Sequence, residues 1–282
     1  MRYSWKIALI VFLFSIVGGI YFYIQSAYKI AIYSVYHKTY SVFKNDVVIP
    51  IQAGRALHTD EGLSLENVMI GDDTGINISE KNNEYCELTA MYWVWQNVKN
   101  LDVVGFMHYH RFFDNREHGK MCGEDKLCKL GLTQEQMNRF FPDKDIIIPI
   151  PFDMQMTGYE YYSQWHYKED MDIAINYIRQ HYPEMSEALD ESLFDTHQRY
   201  FANMVIMKKE IFDEYAKWLF EILFAIEKDI GPMEGKTLTP EANHSVEYQR
   251  RAPGFLAERL FDVWIHHNRH KYKVLEFHTM TE

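Results

Sequence analysis

Between residues 71 and 113 the chain runs from a glycine-bounded acidic loop (Gly71, Asp72, Asp73) through an aromatic stretch to an apolar run. That run, 103–107, ends abruptly in His108-Tyr109-His110-Arg111. A strand that is apolar along its length and polar at its carboxyl end is how ligand-binding strands of open α/β sheets read. Short β-branched or aromatic runs at 29–37, 47–51, 68–70, 103–107 and 146–150 predict buried strands. Tyr85, Leu88, Tyr92 and Trp95 recur at helical spacing and predict a helix over 83–97, with Glu84 and Glu87 suited to its first turn. Beyond Pro151 the pattern is mainly helical, at 159–182, 183–193, 208–230 and 254–267, with strands at 203–207 and 273–277. Residues 114–131 read as a charged loop. Alternation of strands and helices over the first half gives an α/β class.

The hydrophobic share of 47% supports a packed core, and the formal charge of −11 argues against a nucleic-acid partner. An anionic ligand would need a local basic pocket. Cys86, Cys122 and Cys128 are too few for a disulfide framework. Cys122 and Cys128 could pair or share a metal, but the chain has no second Cys/His pair with finger-like spacing. Reduced thiols are the expectation.

Residues 7–24 carry no charge. As a helix they would span about 27 Å, close to the roughly 30 Å of a bilayer core. Arg2, Trp5 and Lys6 flank one end and Tyr21, Tyr23 and Lys29 the other, as interfacial anchors would. A cleaved signal peptide is the rival, but no convincing small-residue cleavage site precedes Lys29. The expected organisation is a single-pass membrane anchor over 1–28 and a catalytic domain over 29–282.

Several residues could carry chemistry. Asp72 and Asp73 could hold a ribose, a sugar hydroxyl or Mg²⁺, or simply form a turn with Asp73 or Ser79 capping the next helix. His108 and His110, two apart on a strand, face one side and could share a ligand or a metal, with Arg111 beside them. Arg250 and Arg251 precede Pro253 and a helix start, a setting suited to a diphosphate. Glu258, one turn into that helix, is the first choice for a general base. His166 and Asp170 are four apart on one predicted helix face and could orient an acceptor sugar beside Tyr159, Tyr162 and Trp165, although core packing is the commoner role for such residues.

Six segments, in order, carry a resemblance: IAIYSVYHK, IPIQAGRAL, GDDTGINISEKNNEYCELTAMYWVWQN, VGFMHYHRFF, NMVIMKKEIFDEY and RRAPGFLAERLFDVWI. Together they resemble a bacterial glycosyltransferase family long classed as a domain of unknown function. That family is common in capsular and exopolysaccharide gene clusters and includes galactofuranosyltransferase-like members. Its usual HYRR block reads His108-Tyr109-His110-Arg111 here, with His110 in place of a basic side chain.

The resemblance implies a GT-A-like, Rossmann-related mixed sheet flanked by helices. The implied activity is hexosyl transfer, galactofuranosyl among the options, from a nucleotide-diphosphate sugar such as a UDP-sugar to a glycan or polyprenyl-linked acceptor. It puts His37, Lys38 and Gln52 on the donor side with Asp72 and Asp73, and Asn203, which opens the fifth block, joins the substrate-binding set. No Asp-x-Asp comes after the 103–107 strand. Either Mn²⁺ or Mg²⁺ is held by other groups, or Arg111, Arg250 and Arg251 neutralise the leaving diphosphate. Glu258 would take the acceptor proton, with Asp72 or Asp73 as alternates. The extension over 1–28 is not part of that family's usual domain; a membrane anchor there, with nucleotide sugars in the cytosol, would put the catalytic domain on the cytoplasmic face of a bacterial inner membrane, a Golgi-type lumenal domain being the alternative. Two other classes compete: a non-catalytic, membrane-tethered glycan-binding module, and a metal hydrolase using Asp72, His108 and His110.

Overall fold

The computed structural model describes residues 28–38, 40–58, 69–116 and 122–282. The apolar segment 7–24 lies outside these residues. Among the described residues no helix is long and apolar enough to cross a membrane.

The sheet is built on β1 (Ile30–Tyr36), a seven-residue strand buried along its whole length. It pairs in parallel with β2 (Val48–Gln52) on one side and β4 (Val103–His108) on the other, and β2 pairs in parallel with the short β3 (Ile70–Gly71). Past β4 the sheet turns mixed. β9 (Val205–Lys208) runs antiparallel to both β4 and β6 (Ile146–Pro149), and β10 (Val274–Thr281) lies parallel to β6. β5 (Arg111–Asp114) keeps one pairing to β4, His108 to Arg111, then peels away to pair antiparallel with β10. β7 (Phe152–Asp153) and β8 (Gln198–Arg199) form a separate two-stranded ribbon.

Alternation along the strands divides the core. Ala31, Tyr33 and Val35 face a cluster formed with the helices Leu88–Asn97, Lys168–His181, Lys209–Ile226 and Ala252–Asn268. Ile30 and Ile32 face a second cluster with Leu127, Leu130, Met137 and Phe141. Both faces of β1 are covered, which is why it reads as a continuous apolar run rather than an alternating one. The Lys209–Ile226 helix buries Ile211, Phe212, Tyr215, Leu219, Ile222 and Leu223 among others. Each such side chain contributes about 1.5–3 kcal/mol when fully buried. Gly105 on β4 lets Ile206 lie close: a Cβ there would meet its Cγ1 at 2.7 Å.

Four expectations change. The helix foreseen over 83–97 is two, Asn82–Tyr85 and Leu88–Asn97, broken at Cys86 with φ 50 and ψ −130. The helix foreseen over 159–182 ends at Trp165 because His166 is extended (φ −136, ψ 176), and a new helix starts at Lys168. The loop foreseen over 114–131 contains a helix, Lys126–Lys129, capped by Asp125, whose side chain accepts from Cys128 N. Cys122 and Cys128, expected as reduced thiols, form a disulfide. The turn that donates Asp125 N to the Cys122 carbonyl brings their Cα atoms to 5.4 Å.

Candidate functional site

The strand order β3-β2-β1-β4 reverses direction between β1 and β4, and ligands of open α/β sheets sit at the carboxyl ends of the strands at such a point. A cavity of about 620 Å³ opens there. Its base is Val35 near the end of β1, His37 just after it, Ala53 after β2, and His108, His110 and Arg111 around the turn from β4 to β5. One wall is Asn82, Asn83, Cys86 and Glu87; the other is Glu247, Arg250 and Arg251 at the entry to the Ala252–Asn268 helix. The volume is that of a site for a small molecule or cofactor.

The break at Cys86 shapes the first wall. A positive φ costs a non-glycine residue about 1–3 kcal/mol and persists only where its surroundings hold it. Here Asn82 Nδ2 donates to the Cys86 carbonyl at 2.6 Å, Thr89 Oγ1 donates to the same oxygen at 3.1 Å, and Arg251 Nε donates to Cys86 Sγ at 3.0 Å. Burial is the main cause that lifts the Cys86 thiol to about 11, so the sulfur stays protonated. Glu87 follows the kink as the residue before the Leu88–Asn97 helix, and it lines the cavity.

Glu87 is held from behind. Its Oε1 accepts from Asn203 Nδ2 at 2.7 Å. Asn203 and Ala202 are consecutive left-handed residues, φ 48 and 69, just before β9. The same two-residue turn collects two more site groups. His108 Nε2 donates to the Ala202 carbonyl at 2.7 Å, and Ala202 N donates to Glu258 Oε1 at 2.7 Å. A carbonyl only accepts, so His108 carries its proton on Nε2. A small hollow lined by Glu87, His108, Ala202 and Asn203 adjoins the main cavity. Glu258 stands one layer behind: its Oε2 meets Arg259 at 3.1 Å, and burial is the first cause that raises its pKa.

The lining combines three guanidinium groups and four imidazoles with two carboxylates, Glu87 and Glu247, in a chain whose formal charge is −11. Burial and the neighbouring charges hold two of these imidazoles toward their neutral forms. Burial first, then Lys38, His108 and Arg251, holds the His37 pKa below its ordinary value. Burial first, then His108, Arg111 and Lys38, does the same for His110. An anion placed among these groups would favour the charged imidazole forms. Arg250 and Arg251 also stand where the first peptide N–H groups of a 17-residue helix point outward.

The structure thus brings His37, His108, His110, Arg111, Arg250 and Arg251 into one cavity, with Asn203 in the adjoining hollow. Lys38 is exposed, with its ammonium 5.6 Å from the Tyr109 ring centre. Cys86, Glu87, Asn82, Asn83, His58 and Glu247 join the lining without having been foreseen as site residues. Glu87 had a signal: it lies beside a cysteine inside the longest of the six blocks, but helical periodicity absorbed it.

Other foreseen residues lie elsewhere. Asp72 is fully buried: Gly54 N (2.8 Å) donates to its Oδ2, while Arg55 N (3.1 Å) and Ser79 Oγ (2.5 Å) donate to its Oδ1. This carboxylate ties the β2 and β3 ends together and does not reach the cavity. Gly54 is required there because it takes φ 67 with Asn82 pressed against the position of a Cβ. Asp73 is exposed, and Gln52 is buried with its Oε1 accepting from Arg55 Nε at 3.0 Å. Asp72→Ala is expected to lower unfolding stability by about 3 kcal/mol, because buried donors lose a charged acceptor. Urea denaturation checks this.

His166 and Asp170 do not share a helix face, because the first helix ends at Trp165 and the next begins at Lys168. His166 is buried, its ring stacked on Phe255 at 3.9 Å and its Nδ1 3.2 Å from Gln249 Oε1. Asp170 accepts from Lys236 Nζ at 2.6 Å and Gly231 N at 3.0 Å, bracing the loop after the Lys209–Ile226 helix. Burial pushes the His166 pKa from 6.5 down to about 4. The unfolded chain therefore takes this proton first, and the stability His166 contributes is intact above pH 6.5 and lost as pH falls toward about 4. Asp262, raised to about 7 by burial, works in the opposite sense and favours the native state as pH falls. His166→Phe is expected to shrink the drop in Tm on going from neutral pH to about pH 4.5, as read by circular-dichroism melts.

The sequence family described as a domain of unknown function, DUF4422, matches residues 31–269. The chain belongs to the DUF4422 family. Among solved structures, this DUF4422 chain is similar to the apo structure of WbbM, a bifunctional glycosyltransferase, at 31% identity and a TM-score of 0.76. The likeness covers 90% of this chain and 45% of that one, so the chain spans about half the length of the protein it matches. No match was found among curated proteins. The DUF4422 match takes in both walls and the base of the cavity. Among the described residues no three His, Cys, Asp or Glu side chains converge as a metal-binding group. Asp72 does not line the cavity with His108 and His110.

Proposed function

We propose that this chain is a glycosyltransferase that binds a nucleotide-diphosphate sugar in the cavity and passes the sugar to an acceptor hydroxyl. The observation that carries this reading is the clustering of Arg111, beside the end of β4, with Arg250 and Arg251, at the entry to the Ala252–Asn268 helix, around one cavity in a domain similar to part of a bifunctional glycosyltransferase. Arginine forks match phosphate oxygens, and a helix N-terminus adds peptide N–H groups aimed at the same anion.

The positions of these groups suggest the course of the reaction. The acceptor oxygen forms a bond to the anomeric carbon as the bond from that carbon to the diphosphate oxygen breaks. The electron pair leaves with the diphosphate, where Arg250 and Arg251 stabilise the growing charge. Glu87 takes the acceptor proton. Its carboxylate lines the cavity and is oriented by Asn203, whereas both oxygens of Glu258 are engaged, by Ala202 N and by Arg259. Glu258 then holds the Ala202-Asn203 turn that positions Glu87 and His108.

The finer reading is a UDP-linked hexose donor, galactofuranose among the candidates, and a glycan or polyprenyl-linked acceptor in surface-polysaccharide synthesis. The charge-free segment 7–24 supports attachment to a bacterial inner membrane, with the catalytic domain on the cytoplasmic face where nucleotide sugars are found. Incubating the full chain with UDP-sugars and lipid-linked or oligosaccharide acceptors, with mass spectrometry of the products, tests it. A product heavier by one hexose supports the reading; no transfer and no nucleotide release from any donor overturns it.

A further inference from the structure

Next to Glu258 the surface carries an aromatic row that the donor chemistry leaves unused. Phe152, on the β7–β8 ribbon, is 52% exposed. Its ring meets Phe201 at 5.9 Å, and Phe201 meets Tyr161 at 5.9 Å, both edge-on. The Arg259 guanidinium packs 5.3 Å from the Phe201 centroid and 5.8 Å from that of Tyr161, and it touches Glu258 Oε2 at 3.1 Å. Phe201 directly precedes Ala202, the residue that ties Glu258 to His108. Tyr161 also feels the charges of Glu258 and Arg259, and burial is the main cause that raises its hydroxyl pKa. The row is therefore mechanically joined to the floor of the cavity.

The rim of the row is polar. Asp153 and Gln155 are exposed beside Phe152, and Gln198 faces Asp153 across the ribbon. Asp153 Oδ1 accepts from Gln155 N at 2.9 Å, fixing a turn in which Gln155 takes φ 57. The exposed Phe152 ring, edged by carboxylate and amide groups and backed by the half-buried Phe201 and Tyr161, matches a sugar, which presents C–H bonds on one face and hydroxyls around its edge. A stable protein partner would ask for an interface of about 800 Å² on each side, more than one exposed ring beside two half-buried ones offers.

We propose that Phe152, Tyr161 and Phe201 form a carbohydrate subsite that holds the acceptor glycan, with the row leading its reactive end toward Glu87. This rests on the glycosyl-transfer reading, although binding at the row needs no donor. The test is saturation-transfer NMR of the full chain with di- and trisaccharides built from galactose, glucose, mannose, rhamnose and N-acetylglucosamine, with UDP titrated separately. At least one saccharide is expected to bind. Phe152→Ala should weaken it about tenfold, and Tyr161→Phe, which keeps the ring, much less. UDP affinity should be the same in all three proteins. The proposal is overturned if no saccharide in the panel binds, or if Phe152→Ala leaves the affinity unchanged. Loss of UDP binding in the wild type would instead count against the donor cavity and leave the saccharide result standing.

Discussion

Arg251→Ala is expected to weaken nucleoside-diphosphate binding by about 10- to 100-fold, the loss of one charge-assisted contact of about 1.5–3 kcal/mol. Isothermal titration with UDP reads this directly. Arg251 does two things in the cavity: it presents its fork to the ligand space and donates Nε to Cys86 Sγ at 3.0 Å. Arg251→Lys separates them, since it keeps the charge but loses the planar fork and should recover only part of the affinity. Arg250→Ala should cost less, because its side chain is 48% exposed with Glu84 3.7 Å away. If Arg251→Ala binds UDP as tightly as the wild type, the diphosphate does not lie against this wall.

The second large effect is on turnover. Glu87→Gln is expected to lower kcat by about 10²–10⁴, the range for loss of a general base, with donor affinity held or slightly improved because a negative charge leaves a cationic cavity. The glutamine can still accept from Asn203 Nδ2, so the wall should keep its shape. Glu258→Gln is the matching control. It leaves the Ala202 N–H an acceptor but turns an amide toward Arg259, so its loss should appear in thermal stability as well as in rate. A full-activity Glu87→Gln beside an inactive, normally folded Glu258→Gln would transfer the role of base to Glu258.

Much of the fold could be read from local pattern, because buried parallel strands and their flanking helices write strong periodicities. β1, β2, β4 and β6 lie where continuous apolar runs predicted them, and the His108 to Arg111 strand end does line a cavity. What pattern could not give was the set of departures from regular geometry. Cys86 breaks a helix whose periodicity continues through it, since the break is held by Asn82, Thr89 and the distant Arg251. Glu87, the residue directly after that break, lines the cavity. Asp72 looked like a ligand carboxylate because it comes after a strand, but its oxygens satisfy Gly54, Arg55 and Ser79, partners that sequence distance hides. His166 and Asp170 are four apart, yet an extended residue between two helices puts them in different surroundings.

The most direct test of the account is thermal stabilisation of the full chain by UDP, GDP, dTDP and CMP and by UDP-hexoses, each with and without EDTA. A ligand present at about 100 times its dissociation constant should add about 2.7 kcal/mol of stability. The account predicts stabilisation by diphosphate nucleotides and their sugars, weaker or none by CMP, and loss of the effect in Arg251→Ala. No stabilisation by any nucleoside diphosphate, or one that Arg251→Ala leaves intact, would contradict it.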